Sequence, residues 1–136
     1  MTKSEFIVVE HKAKRAGLHW DIRFRMPNSK KWISFACRKE PPTETGKKIM
    51  AIRTHDHSED EALFLGTIDS GYGAGKLTQW DRGKCDIVKY SLNNHIVINF
   101  KGKKLQEIYH FISSKVLNKS AHGEKGNTYM FFKGKA

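Results

Sequence analysis

The segment Leu18-His19-Trp20-Asp21-Ile22-Arg23 carries an imidazole, a carboxylate and a guanidinium at every second position. Alternate side chains of an extended strand point the same way, so His19, Asp21 and Arg23 share one face while Trp20, Ile22 and Phe24 take the core side. Such a strand presents two ligands for a divalent cation beside a fork suited to phosphate oxygens. His11 lies upstream, across a Lys12 to Gly17 segment long enough to fold back and bring a third ligand. Imidazole with carboxylate suits Mn²⁺, Zn²⁺ or Fe²⁺, and the lack of nearby thiolates argues against a structural zinc knuckle. The same alternation also describes the wet face of any half-exposed antiparallel strand, with Arg23 as a salt-bridge partner.

A second cluster is Thr54-His55-Asp56-His57. Read as a strand, it puts His55 and His57 on one face, where a histidine can serve as a ligand, a phosphate-contacting donor or a general acid near neutral pH. The acidic Glu59-Asp60-Glu61 that follows fits an exposed loop equally well. Lys12, Lys14, Arg15, Arg38, Lys39, Lys47 and Lys48 fall in loops around these elements, where they can track a nucleic-acid backbone or simply solubilise the chain. Gly71, Gly73 and Gly75 are not followed by the Lys-Ser/Thr of a phosphate-binding P-loop and fit a tight turn. Cys37, in an apolar segment, and Cys85, beside a turn, read as inert thiols.

The elements that must hold these residues are mostly strands. Phe6 to Val9, Leu18 to Arg25, Lys31 to Cys37, Met50 onward into Asp56 to Glu61, Cys85 to Tyr90, His95 to Phe100 and Tyr129 to Phe132 have strand composition or period-two patterning. Met26-Pro27-Asn28-Ser29 predicts a hairpin turn, as do Asp81-Arg82-Gly83, Asn93-Asn94 and Gly102. Arg38 to Lys48, with Pro41-Pro42 and Gly46, reads as a loop. Ala62 to Ile68 is short and apolar, Leu105 to Ile112 is ambiguous between helix and strand, and Asn118 to Asn127 reads as a polar loop. Seven or eight short strands at this spacing predict an all-β or mainly β fold, a compact small barrel, with residues 1–136 as a single domain.

Composition narrows the function classes. The 136 residues hold 25 Lys and Arg against 14 Asp and Glu, a net charge of +11, and 38% are hydrophobic, enough for a core. Residues 1–68 have 13 basic and 9 acidic side chains, and residues 69–136 have 12 and 5, so the excess is +4 and +7. Such a balance attracts polyanions, nucleic acid first and anionic lipid second. No run approaches the roughly 18 apolar residues of a membrane span. The apolar run Phe6 to Val9 is too short for a signal peptide, and two cysteines do not make a disulfide framework, so a reducing cytoplasmic setting is expected.

In order, the chain reads FIVVEH, RAGLHWDIRF, a Trp-containing strand ending RKEPP, AIRTHDH and YGAGKLTQWDRG. This closely resembles the 3′-phosphoesterase domain of bacterial DNA ligase D and its free-standing relatives, over roughly Phe6 to Gly83. The resemblance implies a β-barrel with metal-dependent activity on DNA or RNA 3′ ends. Such domains trim a 3′-terminal ribonucleoside and remove a 3′-phosphate, leaving the 3′-OH that a polymerase or ligase requires. It implies Mn²⁺ on His11, His19 and Asp21, a site that Zn²⁺, Co²⁺ or Cd²⁺ could also occupy. Arg23 and His57 match phosphate-engaging positions, and Lys48 and Arg53 are further candidates for the substrate phosphate. The expected partners are primer–template or duplex 3′ ends of DNA, or RNA, with ligase and polymerase acting in trans and the protein itself a monomer.

The chain departs from the family pattern in several places. Ala16-Gly17 lengthens the segment between His11 and His19. Only ten residues precede His11, so the N-terminal arm of some relatives is expected to be largely missing. Ser58 and Glu61 stand where relatives have proline and tyrosine, Asp69 replaces a usual proline, and the glycine turn is one residue shorter. An inward-facing Glu61 would repel a phosphate, which bears on the phosphomonoesterase step. Two other readings use the same residues: a non-catalytic nucleic-acid-end-binding barrel with a vestigial site, and a small-molecule oxygenase with a two-histidine-one-carboxylate centre. The basic charge and the YGAG and WDRG segments speak against the oxygenase.

Overall fold

A computed structural model of the chain describes residues 1–71, 74–113 and 127–135. Tyr72 and Gly73 of the glycine turn, and 118–126 of the expected polar loop, lie outside the described residues. The elements run β1 (Thr2–Ala13), β2 (Gly17–Arg25), β3 (Trp32–Cys37), β4 (Lys48–Arg53), α1 (Glu59–Leu63), β5 (Gly66–Ile68), β6 (Gly75–Ser91), β7 (His95–Lys101), β8 (Gln106–Ser113) and β9 (Thr128–Lys133). Eight strands close a barrel in the order β1-β2-β3-β4-β9-β8-β7-β6, with β6 pairing back onto β1. Every pairing between strands is antiparallel, and β5 adds to the first residues of β6 outside the closure. The mainly β barrel expected from the strand spacing is the fold observed.

The interior is filled by the alternate residues that the period-two pattern marks. Phe6 and Val8 of β1, Trp20, Ile22 and Phe24 of β2, and Ile33, Phe35 and Cys37 of β3 meet Ile96, Ile98 and Phe100 of β7 in one core. Aromatic rings knit the centre, with Phe35 and Phe111 at 4.4 Å and Phe111 and Phe131 at 4.5 Å between centroids. A smaller cluster of Ile7, Val9, Trp32, Ala62 and Leu77 forms on the outside, where α1 and β5 cover part of β1–β3. Both faces of β1 are thereby buried here, which is why Phe6 to Val9 is a continuous apolar run. Covering this outer face also decides the environment of the polar stripe on β2.

Three expectations are corrected. Asp81-Arg82-Gly83 is not a turn, because β6 runs through it for 17 residues. The Asp81 carboxylate instead accepts the backbone N–H groups of Lys103, Lys104 and Leu105 at 3.0, 3.1 and 2.7 Å, so this β6 residue braces the β7–β8 turn. Gly83 permits close strand approach, since a Cβ there would stand 2.7 Å from the Lys101 carbonyl oxygen. Trp80 is the extra residue of a bulge, with Val8 opposite Asp81 and Val9 opposite Gln79.

The strand expected to enter Asp56 to Glu61 instead ends at Arg53, and α1 begins at Glu59. Ser58 and Glu61 form a capping box: Ser58 Oγ accepts the Glu61 N–H, and the Glu61 carboxylate accepts the Ser58 N–H, both at 3.3 Å. His55 and His57 therefore sit on a loop rather than on a strand face. The ambiguous Leu105 to Ile112 segment forms β8, with Tyr109 and Phe111 in the core. Among the described residues, no helix is long and apolar enough to cross a membrane.

Candidate metal centre

The centre is assembled by register. Antiparallel pairing of β1 with β2 sets His11 directly opposite His19, and their ring centroids are 4.7 Å apart. Asp21 follows on the same face of β2, with Oδ1 3.3 Å from His19 Nε2 and Oδ2 3.8 Å from His11 Nδ1. One ligand atom from each of the three residues lies within 4.8 Å of the others. Two nitrogens and one carboxylate oxygen leave positions open for water or substrate on a first-row divalent cation, so the donor set fits such an ion.

Arg23, next along the face, is only 5% exposed. Its Nη2 donates to Asp21 Oδ2 at 3.1 Å, and its Nη1 donates to the Glu61 and Ala62 carbonyl oxygens at 3.3 and 3.0 Å. The guanidinium thus ties the Asp21 carboxylate to α1. Its Nε is buried without a hydrogen-bond partner, and its bond to Asp21 uses one of the two Nη2 hydrogens. Burial alone would raise the Asp21 carboxyl. Hydrogen bonds from His11 and His19, with the Arg23 charge, outweigh burial and hold it well below the usual carboxylate range. The bond to Asp21 raises His19 above the ordinary imidazole value against the opposing effect of burial.

The space above these groups comes from small neighbours. Ala36 lies opposite Asp21 and Ser34 opposite Arg23 across the β2–β3 ladder. With Ala13 and Ala16 they leave a groove of about 630 Å³ that also takes in Thr54, His55, His57, Glu61 and Phe64. His57 is pinned to β3 by two backbone bonds: Trp32 N–H to the His57 carbonyl at 2.8 Å, and His57 N–H to the Trp32 carbonyl at 2.9 Å. Burial lowers the His57 pKa, helped by the charge of Arg23 and by His55, while Glu61 opposes the shift.

The groove brings together His11, His19, Asp21, Arg23, His57 and Arg38. Lys12, Lys14, Arg15 and Lys39 are exposed beside it in sequence, and Lys14 Nζ reaches the Asp69 carbonyl at 3.4 Å. Lys48 lies at the start of β4 with its ammonium 4.8 Å over the Phe132 ring, and Arg53 pairs with Asp56 at 3.1 Å; neither lines the groove. Cys37 and Cys85 are buried, and burial pushes both thiols up, Cys85 to about 12. Reasoning from the sequence missed Ser34, Ala36 and the 43%-exposed Phe64 as groove residues. The small residues facing outward on β3, between core residues Ile33, Phe35 and Cys37, are the signal that could have found the opening.

Residues 9–113 match the model of the DNA ligase D 3′-phosphoesterase domain. The multifunctional non-homologous end joining protein LigD of Mycobacterium bovis is 36% identical over 111 residues, which covers 79% of this chain and 14% of that protein. The LigD of Mycolicibacterium smegmatis is 31% identical over 132 residues, covering 89% of this chain and 17% of that protein. The chain therefore spans under one fifth of the length of these curated relatives. The matched span contains every residue of the His11–His19–Asp21 centre together with Arg23 and His57. The chain belongs to the DNA ligase D 3′-phosphoesterase domain family.

Proposed function

We propose that this protein is a metal-dependent phosphoesterase that heals nucleic-acid 3′ ends, removing a 3′-terminal ribonucleoside, a 3′-phosphate, or both in turn to leave a 3′-OH. The observation that carries this reading is the His11–His19–Asp21 group lining an open groove in a chain of this family. His11, His19 and Asp21 would hold Mn²⁺, with Zn²⁺, Co²⁺ or Cd²⁺ as alternatives on the same donors. The ion would supply Lewis acidity toward a phosphate oxygen and a lowered pKa for bound water.

The chain's own residues do the remaining work. Arg23 holds Asp21 in its ligating orientation and offers its spare N–H to a phosphate oxygen, where added charge in the transition state is best stabilised. With its pKa lowered, His57 is largely neutral in the free groove and still offers one ring N–H to a phosphate or leaving oxygen. Water is the nucleophile in this reading, since Ser34 Oγ is buried without a hydrogen-bond partner to activate it. Arg38 at the groove, with Lys12, Lys14, Arg15 and Lys39 around it, would follow the backbone of DNA or RNA leading to the end. A polymerase or ligase that consumes a 3′-OH is the partner activity, and the setting is intracellular.

The test is a 5′-labelled primer–template digest with a 3′-terminal ribonucleotide or a 3′-phosphate, with Mn²⁺ or EDTA. Metal-dependent conversion to a 3′-OH that His19→Ala abolishes is the expected result. Conversion that halts at 3′-phosphate would confine the activity to the diesterase step. Retained nucleic-acid binding with no product would leave an end-binding barrel in place of the enzyme.

A further inference from the structure

The groove contains a second cluster with the same donor types. One ligand atom from each of His55, His57 and Glu61 lies within 4.8 Å of the others, and the two imidazole centroids are 4.4 Å apart. We propose that these three residues form a second divalent-cation site, of a kind that takes Zn²⁺ or Co²⁺, separated from the first by the Arg23 guanidinium.

Two of the donors are already held in place. His57 is fixed by its paired backbone bonds to Trp32. Glu61 is fixed by the capping box, in which Oε1 accepts from Ser58 while Oε2 lies 3.5 Å from His57 Nδ1. That nitrogen is buried, and its contact with Glu61 Oε2 is too long and poorly aligned for a full hydrogen bond, so its lost hydration is only partly replaced. A cation between Nδ1 and Oε2 would satisfy both. Ligand atoms about 2.0–2.2 Å from a metal lie roughly 3–4 Å from one another, so the cluster needs only a small closure. His55, which is exposed, supplies the third donor and leaves the site open to solvent.

Charge gives a second, independent reason. Arg23 connects the clusters, reaching Asp21 with Nη2 and the α1 carbonyls of Glu61 and Ala62 with Nη1. If the groove takes a phosphate, as the proposed function holds, the negative charge of Glu61 in its wall opposes that ligand. With a divalent ion on Glu61 and two neutral imidazoles, that wall becomes net positive and gains an open coordination position for a phosphate oxygen. Glu59 and Asp60, in the same first turn, offset the repulsion between such an ion and Arg23. Two histidines and one glutamate are a set that zinc favours, whereas an ion preferring oxygen would select it weakly.

The proposal shares the groove with the phosphoesterase reading, but metal binding is measured without substrate, so the two fail separately. The intact chain, stripped with EDTA and dialysed, would be titrated with Co²⁺ by calorimetry and visible absorption. Two ions per chain are expected. His55→Ala, at an exposed position, should remove one and leave the ion that depends on His19; His19→Ala should remove the other and leave the ion that depends on His55. One ion per chain that only His19→Ala abolishes, or two that His55→Ala leaves intact, would overturn the second site. Glu61→Gln, which keeps a side chain able to accept from Ser58, should weaken the same ion at least tenfold; unchanged affinity would also count against the proposal.

Discussion

The His11–His19–Asp21 and His55–His57–Glu61 clusters carry the same donor types on opposite kinds of support. The first stands on barrel strands, with its histidines opposed in the β1–β2 ladder and its carboxylate only 5% exposed and clamped by Arg23. The second stands on the loop and first turn that follow β4, held by one bridge to Trp32 and one capping box, with the Glu61 side chain 58% exposed. A cross-strand pair is positioned by every hydrogen bond of the closed sheet. A loop cluster is positioned by a few local bonds that a single substitution can remove. The strand-borne cluster is therefore preorganised and coupled to stability, and the loop-borne cluster is adjustable and nearly independent of it.

The largest effect expected from this contrast is at Asp21. Asp21→Ala leaves the Arg23 guanidinium buried without its carboxylate, so it should destabilise the metal-free protein by about 3–5 kcal/mol in urea unfolding, besides abolishing activity. A loss below about 1 kcal/mol would mean that Arg23 finds water or another partner, and the two clusters would no longer differ in their coupling to the fold.

The next effect is the pH dependence of the metal-free protein. Asp21, whose carboxyl is lowered, stabilises the fold above its unfolded value, and this stability is lost as pH falls through the acid range. His19, whose imidazole is raised, contributes below its unfolded value, and that contribution is lost as pH rises through the folded one. The contribution of the His19–Asp21 pair to the metal-free melting temperature, read as the difference between the protein and His19→Ala, should therefore be highest in a mildly acidic window, roughly pH 4 to 6.5, while the lowered His57 works in the opposite direction. Adding Mn²⁺ should move the optimum upward, because the ion needs an unprotonated His19. A flat profile in thermal melts would remove the His19–Asp21 pair as a stabilising unit.

A smaller change is expected at the loop-borne cluster. Ser58→Ala removes the helix cap and should cost about 1 kcal/mol, while weakening the second cation and leaving the His19-dependent one unchanged. Equal weakening of both would show that the clusters are coupled through Arg23. The smallest response belongs to the thiols. Cys37 and Cys85 are buried with raised pKa values, so native protein at pH 8 should stay unalkylated by iodoacetamide in mass spectra, whatever metal is present.

Much of this was legible from local pattern. The alternation from Leu18 to Arg25 assigned His19, Asp21 and Arg23 to one face, and β2 keeps that assignment. The S-x-x-E spacing of Ser58 to Glu61 is present as well, but the alternation of Met50, Ile52 and Thr54 predicts a longer strand that runs through it. Asp81 and Gly83 look like turn residues when read alone, and their partners are 18 or more positions away at Lys101 to Leu105.

The sequence by itself determined which side chains share a face, because a strand's period of two is a property of the backbone and needs no partner. It also determined the helix cap, because a capping box closes within four residues. Only the tertiary structure decided that the outward face of β2 is buried rather than wet. That required α1 to lie beside it, where Arg23 reaches the Glu61 and Ala62 carbonyl oxygens, with α1 held on the barrel by the cluster of Ile7, Val9, Trp32, Ala62 and Leu77. It also decided that His11 faces His19 and that Ala36 and Ser34 leave room above Asp21 and Arg23. Register between strands is fixed by the closure of the whole barrel and the packing of its core, and no short stretch of sequence carries that information.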